Sequence, residues 1–260
     1  MVSAYLSGNS VLPPWLVRPI HRPDAAMRLI CLPHAGGGAS SFHSLAALLP
    51  RDIEMLTVQL PGRESRLSEP PFRRMAPLID ALTDATAPLL DDKPYALFGH
   101  SMGALIAYEL GRAFERERLP LPRTTIVSSR RAPSVPNTES PLHPLPDDQF
   151  VDALIARYDA IPKVIRDEPE LMALFMPVLK ADFEVFETHR HADTPPLDGA
   201  LAIYGGRADP QTRQMDGWTE LYTGPCRTRL FDGGHFYLAD QRRALADALA
   251  EDVLGAVAVF

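Results

Sequence analysis

The sequence predicts an α/β fold: a mostly parallel central sheet with helices on both faces. Three observations carry this. Short apolar strand candidates alternate with helical stretches along the chain, one glycine-bounded turn joins a buried strand directly to an apolar helix, and a long insertion shows only helical periodicity.

The elements follow in order. Met27–Leu32 is a short apolar strand ending at Pro33, followed by a glycine-rich turn and a helix-like stretch over Ser40–Leu49. Ile53–Leu60 is a second strand, closed by Pro61-Gly62. Met75–Leu90 is helical, with Pro77 tolerated in the first turn, and leads into the buried strand Tyr95–Phe98. A helix over Met102–Phe114, strands at Thr124–Val127, Leu201–Tyr204 and Cys226–Phe231, and a last helix over Leu238–Val257 complete the series. Residues 1–26 hold three prolines before position 20 and no periodicity, so they are expected to form an extended arm; residues 27–260 form the single main domain.

Residues 137–196 are expected to form a helical lid inserted into that domain. Asp147 can cap a helix through Tyr158, and Glu168–His189 supplies a second stretch whose Pro177 should kink or divide it. Phe150, Leu154, Ile155 and Tyr158, then Leu171, Leu174, Phe175, Val178, Leu179, Phe183 and Phe186, recur at helical spacing and should face something apolar. Most are expected to serve packing, and some to line an acyl-binding pocket.

Bulk properties exclude several classes. The net charge of −7 argues against nucleic-acid binding, which needs a basic surface. No basic start with a long apolar run opens the chain, and no segment reaches the ~18 apolar residues of a membrane span, so a cytoplasmic protein is expected. Cys31 and Cys226 lie in strand-like stretches and are expected as free core residues, with no disulfide and no metal site.

Gly99-His100-Ser101-Met102-Gly103 matches G-x-S-x-G between a buried strand and an apolar helix, the setting of the nucleophile elbow of an α/β-hydrolase. The alternative is a serine that merely caps the helix. A serine hydroxyl needs a base in reach and a third group to hold that base in the right tautomer. His235, in Gly233-Gly234-His235-Phe236 between the last strand and the last helix, is the expected base, while the His100 side chain should point away from the chemistry. Asp209, on the loop after Leu201–Tyr204, is the expected acid; Asp216 competes, as does Asp182 if the lid folds inward, and Asp209 could instead cap the turn at Pro210. The two backbone N–H groups that stabilise an oxyanion are expected at Met102 and at Ala35 in Pro33-His34-Ala35-Gly36-Gly37-Gly38. A phosphate-cradling reading of that glycine run is weak, because neither G-x-G-x-x-G nor a lysine-ending P-loop is present.

With these residues in place the chain resembles the type II thioesterases that accompany polyketide synthases and nonribosomal peptide synthetases. The resemblance rests on Leu32–Gly37, Val58–Arg63, Phe98–Gly103, Ser129–Pro133 and Gly233–Leu238, five blocks in family order. It implies a substrate acyl group thioester-linked to the phosphopantetheine arm of an acyl or peptidyl carrier protein, and a role in editing or release; separately, no resident cofactor and a monomer are expected. It carries nucleophile, acid and base onto Ser101, Asp209 and His235, and the oxyanion donors onto Met102 and Ala35. The family pattern also keeps Arg130-Arg131, where a structural role at the lid base is as reasonable as a functional one. Arg63, Arg66, Arg73 and Arg74 form the densest basic cluster, a docking face for an acidic carrier or a plain solvated face. Two other readings stay open: a small-molecule esterase or acyltransferase with the same triad, and a silent acyl- or carrier-binding module.

Overall fold

The computed structural model of the protein describes residues 12–158 and 168–255. Seven strands form one sheet: β1 (Leu16–Val17), β2 (Met27–Leu32), β3 (Ile53–Val58), β4 (Tyr95–His100), β5 (Thr124–Ser128), β6 (Ala200–Gly206) and β7 (Cys226–Phe231). Their order is β1-β3-β2-β4-β5-β6-β7; β1 runs antiparallel to β3 and every other pairing is parallel. The sequence pattern shows no element before Met27, yet Leu16 and Val17 pair with Val58 and Thr57. A two-residue edge strand is too short to carry a period, and only its partner reveals it. Residues 1–11 of the expected arm lie outside the described residues.

Each central strand is buried throughout because helices cover both faces. Side chains alternate between two cores. Ile30, Leu32, Leu56, Val58 and Leu97 pack with α2 (Met75–Thr86) and α3 (Met102–Glu117) on one side. Leu29, Cys31, Met55, Ala96 and Phe98 pack on the other with Phe42, with Leu45 of α1 (His43–Ala46), and with Leu245, Leu249 and Val253 of the last helix, Arg242–Gly255. The predicted end of that helix at Val257 lies outside the described residues, and its predicted start is instead a 3-10 turn over Tyr237–Ala239. Cys31 is buried as expected, but Cys226 is exposed, because β7 is the sheet's outer strand and most of its residues meet solvent.

The segment expected to form the lid contains α4 (Asp147–Tyr158) and α5 (Pro169–Glu187). The link between them lies outside the described residues. Pro177 does not divide α5, which runs through it as one helix. Met176 and Val178 are buried on either side, so tertiary packing offsets the backbone bond that proline cannot donate. Leu142, Phe150, Leu154, Met176 and Phe183 make the lid's own core, with the Phe150 and Phe183 rings edge-on at 5.2 Å. Leu171 and Leu174, expected on the apolar face, are exposed on the first turns of α5. The last helix of the chain is α6 (Arg242–Gly255).

Candidate active site

The turn from β4 into α3 has no room for a side chain two residues before or after the serine. A Cβ on Gly99 would stand 2.0 Å from the Gly103 carbonyl oxygen, and one on Gly103 would stand 2.1 Å from the Leu32 carbonyl oxygen. Ser101 itself adopts φ 55° and ψ −115°, a conformation that L-residues disfavour. Its N–H is tied to the Ser128 carbonyl at 2.8 Å, which anchors the strained turn to β5. Although Ser101 occupies the N-cap position of α3, its side chain caps nothing in the helix. The hydroxyl instead lies 3.0 Å from His235 Nε2, and His235 Nδ1 lies 2.9 Å from Asp209 Oδ2.

His235 and Asp209 sit on neighbouring loops that follow β7 and β6 at the carboxyl edge of the sheet. Those loops are zipped together: Ala208 N–H donates to the Gly233 carbonyl at 2.9 Å, and a Cβ on Gly206 would strike the Gly234 carbonyl at 2.2 Å. Asp209 uses its two oxygens separately, Oδ2 facing the histidine while Oδ1 accepts the Gln211 N–H at 3.0 Å. Capping and histidine contact therefore coexist. Neither rival acid reaches His235: Asp216 is exposed at the head of the next turn, and Asp182 does reach inward but pairs with Arg63.

Met102 opens α3, so its N–H has no acceptor within the helix. The first turn of α3 lies against Leu32 and Pro33, which brings the His34–Gly38 loop beside the elbow. In that loop Gly36 N–H donates to Asp182 and Gly37 N–H to the His34 carbonyl, while Ala35 N–H has no acceptor among the described residues. Two unclaimed backbone donors next to a serine hydroxyl are the group an oxyanion would need.

Sequence reasoning missed several neighbours of the site. The His100 ring does not point away; it packs behind His235 with centroids 5.2 Å apart. Its Nδ1 meets Ser128 Oγ at 2.9 Å, which in turn meets the Tyr237 hydroxyl at 2.8 Å. Burial holds the His100 imidazole well below its usual range, and desolvation with the nearby His235 pulls His34 down to about 4. Both rings are thus neutral near pH 7, and the positive charge that His235 would gain meets no second cation there. Tyr158 of α4 covers His235 from the lid side at 5.0 Å between ring centroids. No local pattern announces these contacts, since each joins residues far apart in the chain.

The expected basic docking cluster is not a free surface. Arg63 and Arg66 are buried, Arg63 on Asp182 and Arg66 on Glu69 with its guanidinium 4.1 Å over the Trp15 ring. Arg73 and Arg74 are exposed but both pair with Glu184. Arginines close in sequence are recruited here by separate carboxylates. Arg130 stacks on Phe186 of α5 at 4.5 Å, its carbonyl accepts the Trp218 indole N–H at 2.7 Å, and Arg131 bonds Asn137; the pair braces the base of the lid. A cleft of about 610 Å³ lies at the opposite, amino-terminal edge of the sheet between Leu90–Tyr95 and Pro120–Arg123, and it contains none of the site residues. Among the described residues no cluster of three or more His, Cys, Asp or Glu side chains is disposed to hold a metal ion, and no helix is long and apolar enough to cross a membrane.

The thioesterase domain family matches residues 27–253, nearly the whole described chain. The chain belongs to the thioesterase family. Among curated relatives of this thioesterase, the gramicidin S biosynthesis protein GrsT of Aneurinibacillus migulanus is 31% identical, covering 92% of this chain and 93% of the relative. Thioesterase PikA5 of Streptomyces venezuelae is 34% identical, covering 92% and 85%. Among solved structures, the type II thioesterase BorB from the borrelidin biosynthetic cluster superimposes with a TM-score of 0.83 at 34% identity, covering 94% of this thioesterase and all of that chain. The predicted α/β-hydrolase architecture and thioester-directed serine hydrolase class hold.

Proposed function

We propose that this thioesterase hydrolyses acyl groups from the phosphopantetheine arm of acyl or peptidyl carrier proteins, as an editing or releasing enzyme of polyketide or nonribosomal peptide assembly. The observation that carries the reading is the unbroken Asp209–His235–Ser101 hydrogen-bond chain beneath an apolar lid. The names of the relatives, drawn from antibiotic and related biosynthetic clusters, support the substrate class.

The acyl chain lies along the lid's apolar side chains, with its carbonyl oxygen at the N–H groups of Ala35 and Met102. Ser101 Oγ attacks the carbonyl carbon as His235 Nε2 takes the hydroxyl proton; Asp209 holds Nδ1–H and stabilises the imidazolium. The C–S bond breaks, the thiol leaves protonated by His235, and an acyl-ester remains on Ser101. Water then gives its proton to His235 and attacks the ester, and His235 returns that proton to Ser101 Oγ as the C–O bond breaks, releasing the free acid and restoring Ser101. Apart from the water that is consumed, every group that moves a proton or attacks the acyl carbon is a side chain of this protein, so the reaction as proposed needs no cofactor. The partner is the carrier protein, and the enzyme works as a cytoplasmic monomer.

The test is hydrolysis of carrier-bound acyl groups from acetyl to about twelve carbons, with matched free thioesters and oxygen esters, by the wild type and by Ser101→Ala. Faster cleavage of carrier-bound thioesters by the wild type alone supports the reading. Cleavage of oxygen esters only would replace it with a general esterase, and failure to react with a serine-directed fluorophosphonate would replace it with a silent binding module.

A further inference from the structure

We infer that Asp182, on lid helix α5, is a positioning residue for the oxyanion loop, so that lid docking and the assembly of the second oxyanion donor are one event. The inference rests on the roles proposed above for Ser101 and Ala35.

The His34–Ser40 loop is held from two directions. From the body, Gln59 Oε1 accepts the Ala39 N–H at 3.0 Å, and the Glu64 carboxylate accepts the Ser40 hydroxyl at 2.5 Å. Gln59 Nε2 donates to the Arg63 carbonyl at 3.0 Å, so these tethers and Arg63 form one block. From the lid, Asp182 Oδ2 accepts the Gly36 N–H at 2.7 Å and Arg63 Nη1 at 2.6 Å, and Asp182 Oδ1 accepts Arg63 Nη2 at 2.8 Å. Arg63 Nη1 also donates to the Gly37 carbonyl at 3.2 Å. The carboxylate therefore grips the Ala35–Gly36 peptide and the guanidinium grips the Gly37–Gly38 peptide two further on.

Two features separate this from ordinary lid packing. Asp182 is 3% exposed and Arg63 5%, and a buried ion pair is a costly way to fasten a helix that Val185 and Phe186 already fasten to the main core by apolar contact. Moreover, Gly36 has φ 76°, and a Cβ there would stand 2.6 Å from Leu179 Cδ2, so the loop takes a conformation fitted to the seated helix. An ion pair whose carboxylate also binds a backbone N–H fixes a peptide plane as well as a helix position. With the Gly36 and Gly37 N–H groups both committed, the Ala35 N–H next to them stays open as a donor.

The experiment compares wild type, Asp182→Asn and Glu184→Gln on an acyl thioester and on a nitrophenyl ester, with inhibition by an acyl trifluoromethyl ketone, which adds Ser101 and presents an oxyanion. In Asp182→Asn the charge and one acceptor go: with the amide oxygen on the Gly36 N–H, the amide NH2 faces Arg63 Nη2, so the bidentate pair that also holds Arg63 on the Gly37 carbonyl breaks and the grip on the loop weakens. The expected result is a fall in kcat of about ten- to a thousandfold with KM within about threefold, and ketone affinity weakened in step with kcat/KM. Glu184→Gln removes the surface ion pairs from Arg73 and Arg74 to α5 but keeps the Gly36–Asp182 bond, and kcat should stay within about threefold. If Asp182→Asn does not fold, Asp182→Glu moves the same charge along a longer stem and should show the same split. Unchanged kcat, or a raised KM with unchanged ketone affinity, overturns the inference and leaves Asp182 a lid fastener. Ester turnover without thioester turnover would instead refute the substrate class, and the Asp182 comparison would still be read on the ester.

Discussion

The backbone of Ser101 offers a measurement of how much strain the elbow stores. At φ 55° and ψ −115° a side chain is disfavoured, and residues held in such regions carry about 1–3 kcal/mol of strain. Ser101→Ala and Ser101→Gly both remove the hydroxyl and its bond to His235 Nε2, so that loss cancels between them. They differ in the Cβ. Glycine relieves the strain but adds about 0.4–1 kcal/mol of unfolded-chain entropy. The residue is only partly buried, so the lost methyl forfeits a few tenths more at most. Ser101→Gly should therefore be about 0.5–2 kcal/mol more stable than Ser101→Ala, roughly 1–8 °C in Tm for a domain of this size. Parallel urea and thermal unfolding of the two variants measures this. A glycine variant equal to or less stable than the alanine variant would show that the Gly99–Gly103 turn holds Ser101 without strain, and the argument from its dihedral angles would fail.

Three further outcomes follow from the site. Asp209→Asn keeps the Gln211 cap but presents an amide to His235 Nδ1, favouring the tautomer that carries its proton on Nε2; kcat should fall about a thousand- to ten-thousandfold with folding intact, and steady-state kinetics beside circular dichroism checks both halves. Gly103→Ala forces a Cβ to 2.1 Å from the Leu32 carbonyl, so stability should drop by about 3 kcal/mol or more in denaturant titration, and near-wild-type stability would contradict the packing. His34 lies at about 4 in the folded protein against an ordinary 6.5, so between these values the unfolded chain binds the extra proton. Its contribution is complete above pH 6.5 and is lost as pH falls toward 4, with a slope of at most about 1.4 kcal/mol per pH unit. His34→Gln should flatten the stability profile in that window; an unchanged slope measured by urea unfolding from pH 4.5 to 7 would refute the assignment.

Much of the fold and of the candidate site is legible in the chain before it folds. Period and punctuation determine the alternating strands and helices, because a strand buried on both faces must be apolar throughout and its ends must turn. The elbow is legible because its chemistry is local: two glycines with a serine between them, bounded by strand and helix, allow one geometry. Ser101, Asp209 and His235 could be named because each lies on a loop just after a strand, and parallel strands deliver those loops to one edge. What only the tertiary structure decided is whatever depends on pairing between distant residues. The antiparallel strand at Leu16–Val17 exists because β3 offers an open edge, and Cys226 is exposed because β7 leaves one. Four arginines that look like a surface patch become two buried struts and a surface pair, because Asp182, Glu69 and Glu184 reach them from elsewhere. His100 joins the site through Ser128 and Tyr237, and Asp182, a rival acid by sequence, grips the Gly36 peptide across 146 residues. A charged side chain advertises its chemistry in the sequence, but the partner that neutralises it is chosen by the fold.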